Sequence, residues 1–345
     1  RLGYAPKGWQ NLRSYLAGKG VTDADMLACN LISESQKARE PFDRFKNRLM
    51  FTIEDTSGKP IAFGARALDP DDNPKYVNTS ETELFHKGQQ LYRYRAAREA
   101  AAMANANGLI VCEGYMDVIA LSEAGWGNAV APLGTALTNE QLALLWKVGD
   151  EPIICFDGDA AGIRASNTAI DRALPFLEPG RSLFFAQLPD KKDPDDILKA
   201  EGGKAALTKV FETAKPLVDM LWSRETDGLP LDTPERRLGF EQRIGALVGA
   251  IANEGIRKAY SRELNKRLRD LIYGQNRNDR DHSNRQIAPQ KNVAFNPRGL
   301  RLLTRFIDSP QLLEAGLERL AVASFPDPNI QGLKDALFDL VDSVE

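Results

Sequence analysis

Histidine and cysteine are scarce in this 345-residue chain: two histidines, His86 and His282, and three cysteines, Cys29, Cys112 and Cys155, with no CxxC pair. No structural zinc site can be read from such a set. No apolar run approaches the ~20 residues that cross a bilayer as a helix, so no membrane association is expected. The phosphate-binding pattern GxxxxGK followed by Ser or Thr is also missing. A net charge of -3 does not advertise a nucleic-acid binder, although whole-chain charge is a poor guide where one site concentrates acids. The first residue is Arg1, so the lack of a targeting signal carries no information. Apolar content of 43% and charged content of 27% suit a globular protein with two or three domains. Cys112 and Cys155 lie inside apolar runs and read as core fillers, in keeping with a reduced, cytoplasmic setting.

What the chain does have is a repeated pattern of apolar strand followed by carboxylate. The run from Leu109 to Cys112 ends in Glu113 and Gly114. Pro152 to Phe156 ends in Asp157, Gly158 and Asp159. Ser182 to Leu188 is followed by Asp190, Asp193, Asp195 and Asp196. Short continuous apolar runs read as buried strands of a parallel sheet, and ligands collect at the carboxyl ends of such strands. Each acid alone reads equally well as a cap or turn former. Three successive strand ends that deliver carboxylates to one edge need a positive charge to offset them. Oxygen ligands without histidine or cysteine point to Mg²⁺ or Mn²⁺. Asp190 and Asp196 are read as loop or capping residues.

The remaining pattern predicts an α/β fold, α+β overall. Residues 1–106 form a mixed amino-terminal part: two short helices, the second capped by Thr22 or Asp23, then strands around Arg48–Ile53 and Pro60–Leu68 joined by a Ser57-Gly58 turn, then an Ala- and Arg-rich helix from Tyr92. Residues 107–194 alternate strand and helix, which predicts a mostly parallel sheet flanked by helices, with Thr138 and Gln141 as a capping box. Residues 195–273 read as helical, with Thr233 and Pro234 as a helix start. Residues 274–296 are polar and aperiodic and read as a flexible linker. Helical periodicity resumes in 297–345.

Glu113-Gly-Tyr-Met-Asp117, Leu133-Gly-Thr-Ala-Leu-Thr138 and Asp193-Pro-Asp195 resemble the Toprim domain as it occurs in bacterial DnaG-type primases. Asp43 to Arg48, Gly64 to Arg66, Lys75 to Asn78 and Phe85 to Gly88 are similar to the basic motifs of the same family, and the likeness covers roughly residues 1–270. Thr52 departs from it, because relatives commonly carry proline there. The resemblance implies a primase: metal-dependent nucleotidyl transfer that makes short RNA primers on single-stranded DNA from ribonucleoside triphosphates, leaving an RNA–DNA hybrid.

On that resemblance Glu113, Asp157 and Asp159 are the expected catalytic residues. Glu113, Asp157, Asp159, Asp193 and Asp195 would hold two or more Mg²⁺ or Mn²⁺ ions, with Asp117 as a supporting acid or further ligand. Arg44, Lys46, Arg48, Arg66, Lys75, Asn78 and Lys87 would bind template and nucleotide. Residues 195–273 would complete the polymerase core, and 297–345 would begin a domain that contacts the replicative helicase, in the bacterial replisome. Relatives also carry an amino-terminal zinc-binding domain that this sequence lacks, so weak DNA binding, poor priming and no bound zinc are expected of it. Two other readings of the fold are a metal-dependent nuclease and a non-catalytic recombination mediator. The first commonly pairs with a phosphate-loop ATPase, and the second has no use for the full acid and basic sets.

Overall fold

The computed structural model describes residues 2–34, 40–134, 136–189, 191–283 and 334. The chain divides into two compact units, residues 1–274 and 275–345. In the first unit, β1 (Leu2–Ala5), α1 (Asn11–Ala17), α2 (Asp23–Ala28), β2 (Ile32–Ser33), β3 (Phe42–Asp43), β4 (Arg48–Glu54), β5 (Pro60–Ala67), β6 (Tyr76–Asn78) and α3 (Tyr94–Ala104) make the amino-terminal part. Strands β1, β4, β5 and β6 form an antiparallel sheet in that order, and β2 pairs with β3. Gly58, with φ +91°, takes the left-handed conformation in the turn from β4 to β5, a position that favours glycine. The helix start expected at Thr22 or Asp23 falls at Thr22, whose hydroxyl accepts from the Asp25 N–H.

Next come β7 (Ile110–Val111), α4 (Tyr115–Glu123), β8 (Ala129–Val130), α5 (Asn139–Trp146), β9 (Ile153–Ile154), α6 (Ala160–Ala173), β10 (Phe184–Phe185), α7 (Pro194–Lys199), α8 (Gly203–Glu212) and β11 (Lys215–Pro216). The sheet order is β11-β10-β9-β7-β8, parallel except for β11. Thus β7 lies between β8 and β9. The chain leaves β7 in one direction and returns past it, so the gap between the carboxyl ends of β7 and β9 is the point of reversal, where α/β sheets bind ligands.

Side chains alternate across this sheet. Leu109, Val111, Ile154 and Phe185 enter one core with α3, α5 and α6, whereas Ile110, Cys112, Cys155 and Ala186 enter another with α4, α7, α8 and residues of β4 and β5. Both faces are covered, which is why these strands read as continuous apolar runs. Three further helices, α9 (Leu217–Thr226), α10 (Pro234–Gly249) and α11 (Glu254–Ser283), add Leu221, Phe240, Ile244, Leu264 and Leu268 to the first core.

The structure differs from the sequence reading in two places here. Residues 195–273 are not wholly helical: Lys215 and Pro216 add an antiparallel edge strand to the sheet, a place where the missing proline N–H is tolerated. Backbone also stays helical from Gly274 to Ser283, where a linker was expected; the sequence from Gln275 to Ser283 contains no glycine or proline to stop it. The rest of the expected linker and the 297–345 helical region lie outside the described residues, apart from Lys334. Among the described residues no helix is long and apolar enough to cross a membrane.

Phe240 is 1% exposed and joins α10 to the sheet's first core. Phe240→Ala should cost about 3–5 kcal/mol of unfolding free energy, measured by urea denaturation. A cost below ~1 kcal/mol would mean that α10 does not depend on this packing.

Candidate metal and nucleotide site

Three of the helices that follow the parallel strands begin beside the acids. α4 follows Gly114, α6 is capped by Asp159 and α7 by Asp193. Helix N-termini favour negative charge, and the tight turns hold the acids there. Asp159 Oδ1 accepts from the N–H groups of Ala161 and Gly162, each at 2.8 Å. Asp193 Oδ1 accepts from the Asp196 N–H at 2.6 Å. Each cap leaves its second carboxylate oxygen uncommitted among these bonds. A Cβ on Gly158 would come within 2.0 Å of the Pro189 carbonyl oxygen, so only glycine allows the 157–159 turn to approach the segment after β10 so closely.

The Asp157 N–H donates to Glu113 Oε1 at 3.0 Å, bridging β7 and β9 at the reversal point. Asp157 Oδ1 is buried and has no hydrogen-bond partner. Asp117, 7% exposed, accepts from the N–H groups of Gly114 and Asp195. Asp195 Oδ2 pairs with Lys199 Nζ at 2.6 Å.

These acids act on one another. Burial pushes Asp157 up to about 7, reinforced by the charges of Glu113, Asp117, Asp193 and Asp159. Burial also pushes Asp117 up to about 7, reinforced by Asp193 and Asp195 and opposed by the Gly114 and Asp195 N–H groups. Glu113 is raised by burial, opposed by the Asp157 N–H and reinforced by Asp159. All six expected acids therefore belong to one electrostatic cluster. Among the described residues no three of them form a ready-made metal cage. Even so, an all-oxygen donor set with a buried, unpartnered Asp157 Oδ1 fits a hard divalent cation.

The basic residues divide into two groups. Arg66 on β5 is paired in register with Tyr76 on β6, and its guanidinium lies against the Tyr76 hydroxyl, which also feels the charges of Asp117 and Asp195. That places this strand pair beside the acid cluster. Lys75 is exposed, with Nζ 5.9 Å from the Tyr76 ring centre, and Lys46 Nζ lies 3.4 Å above the Trp9 ring centre. Arg44 Nη2 donates to the Asn78 carbonyl oxygen and Ser80 Oγ, its Nε is buried without a partner, and burial lowers its pKa. Lys87 is fixed through its backbone, between the Glu81 carboxylate and the Gln141 amide.

Arg48 and Asn78 depart from the expectation that they face a ligand. Arg48 is buried, and its Nη1 donates to the carbonyls of Pro74 and Lys75; its position on a central strand turns it inward. Asn78 uses both ends of its amide: Nδ2 donates to the Leu133 carbonyl, and Oδ1 accepts from the Tyr115 hydroxyl. Tyr76 and Tyr115 were not singled out by sequence, although both lie inside quoted motifs. A tyrosine next to a lysine or a catalytic acid carries no distinct signal until the strands are paired.

The chain matches three protein-family models: the amino-terminal domain of the DNA primase catalytic core over residues 1–98, the Toprim domain over 107–181, and the DnaB-helicase binding domain of primase over 218–269. The last match precedes the segment, 297–345, to which sequence reading gave that role. The DNA primase of Pseudomonas putida is 39% identical over 271 residues, covering 78% of this chain and 40% of that protein. The DNA primase of Escherichia coli K12 is 38% identical over 267 residues, covering 77% and 45%. The chain thus spans less than half the length of these curated relatives. Among solved structures, the E. coli primase catalytic core superposes with a TM-score of 0.70 at 38% identity, covering 77% of this chain and 84% of that one. A DnaG primase catalytic domain bound to single-stranded DNA gives 0.70 at 37% identity, covering 77% and 82%.

An acid whose native pKa lies above its unfolded value binds more protons when folded. Its contribution to stability is full below the unfolded value, near 4, and is lost as pH rises toward about 7. In chelator, unfolding free energy should therefore fall as pH rises from about 4 to 7. Asp117→Asn and Asp157→Asn should each flatten that fall. Denaturant midpoints across the pH range test this, and wild-type slope in both variants would contradict it.

Proposed function

The chain belongs to the bacterial DnaG-type DNA primases, with the family's catalytic core, Toprim domain and helicase-binding region, and on that premise we propose that it synthesises short RNA primers on single-stranded DNA from ribonucleoside triphosphates. The observation that carries the reading is a single acid cluster at the carboxyl edge of parallel strands, set beside a strand pair that carries Arg66 and Tyr76, with Lys75 next to it in sequence. A 3′-hydroxyl attacks the α-phosphorus of the bound triphosphate and pyrophosphate leaves. The relative bound to single-stranded DNA supports the choice of template.

A Toprim domain binds divalent metal. We assign Glu113, Asp157, Asp159, Asp193 and Asp195 as the holders of two or more Mg²⁺ or Mn²⁺ ions. When bound, these ions supply positive charge to the triphosphate and lower the pKa of the attacking hydroxyl. Glu113, with Oε1 taken by the Asp157 N–H, keeps Oε2 to accept a proton or a ligand. Asp117 supports the cluster from α4. Arg44, Lys46, Arg66, Lys75 and Lys87 offer the charge that template and nucleotide phosphates require, with Arg as a fork and Lys as a point charge. An RNA–DNA hybrid is the product. The match over 218–269 supports reading that helical segment as the surface for a DnaB-type replicative helicase, and the same reading puts the reaction at the bacterial replisome in the cytoplasm.

Incorporation of labelled ribonucleotides on single-stranded DNA, with and without Mg²⁺ or Mn²⁺, tests the proposal. The expected result is short RNA made only with metal and abolished by Asp157→Ala, with that variant retaining wild-type circular dichroism. A pre-annealed primer is included, so that poor initiation is told apart from absent polymerase chemistry. Metal-dependent DNA cleavage without RNA synthesis would establish a nuclease instead.

A further inference from the structure

The segment that carries Glu113 and Asp117 also carries Tyr115, the first residue of α4. Its ring is 6% exposed and stacks on Phe51 of β4, with centroids 4.7 Å apart and an interplanar angle of 5°. Tyr92 meets it edge-on at 4.7 Å, and Tyr76 of β6 lies 6.3 Å away. The Tyr115 hydroxyl donates to Asn78 Oδ1 at 2.8 Å. Asn78 passes the connection on: its Nδ2 donates to the Leu133 carbonyl at 3.1 Å, and its own carbonyl accepts from Arg44 Nη2 at 3.1 Å. Gly64, the register partner of Asn78 on β5, clears the path, since a Cβ there would lie 2.4 Å from the tyrosine hydroxyl oxygen.

We infer that Tyr115 is a positioning residue whose bond to Asn78 fixes β6, the strand that follows Lys75 and pairs with Arg66 of β5, against the acid edge, and that Asn78 acts through this bond rather than by touching nucleotide. The inference rests on the primase reading above and adds to it a pair of residues for which that reading has no role. The aromatic stack alone leaves the ring free to slide in its plane. The hydroxyl removes that freedom, because it is the one polar group joining α4 to β6 directly, among the described bonds. Arg66 and Tyr76 are held beside the acid cluster by the β5–β6 pair, and Lys75 is the residue next to Tyr76. Loosening β6 therefore displaces the residues that receive phosphate, whereas the Asp157 N–H bond to Glu113 is left in place.

Tyr115→Phe keeps the ring and removes the bond. The expected effect is a roughly tenfold rise in KM for the ribonucleoside triphosphate, the size of one buried hydrogen bond. Turnover at saturation should stay within about twofold, the pattern of lost binding rather than lost chemistry. Asn78→Ala, which also removes the bond to Leu133, should raise KM at least as much, and the double variant should be no worse than Asn78→Ala alone, because Tyr115→Phe then has no further bond to remove. Gly64→Ala should give the same KM rise from the opposite side in protein that still unfolds cooperatively. Additive effects of Tyr115→Phe and Asn78→Ala would mean that Asn78 touches the ligand itself and would overturn the inference, as would a lowered Tm with wild-type KM in Tyr115→Phe. Binding of a fluorescent ribonucleoside triphosphate in Mg²⁺, measured without template, keeps the two proposals apart. A wild-type chain that binds no triphosphate and makes no RNA defeats the functional reading, and one that does both while Tyr115→Phe matches it defeats only this inference.

Discussion

Carboxylates gathered at one place in a partly buried site repel one another, and the geometry around the sheet edge follows from how that repulsion is contained. The fold begins to contain it with backbone. The Asp157 N–H on Glu113, the Gly114 and Asp195 N–H groups on Asp117, and the first-turn N–H groups of α6 and α7 on their caps all hold acids in place. These donors do not suffice, since Asp117 and Asp157 still rise to about 7. At neutral pH the edge is therefore part-protonated, and further ionisation has to be matched by cation. On the proposed reading such an edge would receive a polyanionic triphosphate only once bound cations offset its charge.

On the same reading the amino-terminal sheet would supply the complementary charge, but not every basic residue in it is free to do so. Arg48 spends its guanidinium on the backbone that leads into β6, and Asn78 spends its amide on Tyr115 of α4 and the Leu133 carbonyl. Thr138 and Gln141, the capping box of α5, reach back to Gly88, Lys87 and Gln90. These links tie the basic segments to the parallel sheet on two sides. On the proposed reading Arg44, Lys46, Arg66 and Lys75 would then meet phosphate from segments already held in place, which lowers the ordering cost of binding.

Much of this was legible in the sequence. Apolar runs ending in Glu113 and Asp157, and a third followed by Asp193, told the parallel sheet, its buried faces and the acid edge, because a strand buried on both faces has no alternation to hide behind. Caps at Thr22, Thr138 and Thr233 were legible for an equally local reason. The cap reading of the acids and the site reading turn out not to compete, since Asp159 and Asp193 cap helices while belonging to the cluster. What stayed hidden depends on pairing between distant segments. Nothing local marks Arg48 as buried, Asn78 as a receiver for Tyr115, or Lys215–Pro216 as an edge strand. The helical continuation to Ser283 was obscured by composition, because polar residues without periodicity suit a solvated helix as well as a linker.

The measurement that bears most directly on the acid edge is proton release on metal binding. Calorimetric titration of Mn²⁺ into the protein at pH 7, in buffers of different ionisation enthalpy, reads that number. Two carboxyl groups near half-protonation, discharged together, should release on the order of one proton per chain, and Asp157→Asn should reduce both the release and the affinity. Tight Mn²⁺ binding without proton release, or binding that Asp157→Asn leaves untouched, would show that the ion sits elsewhere and that the cluster is not the metal site.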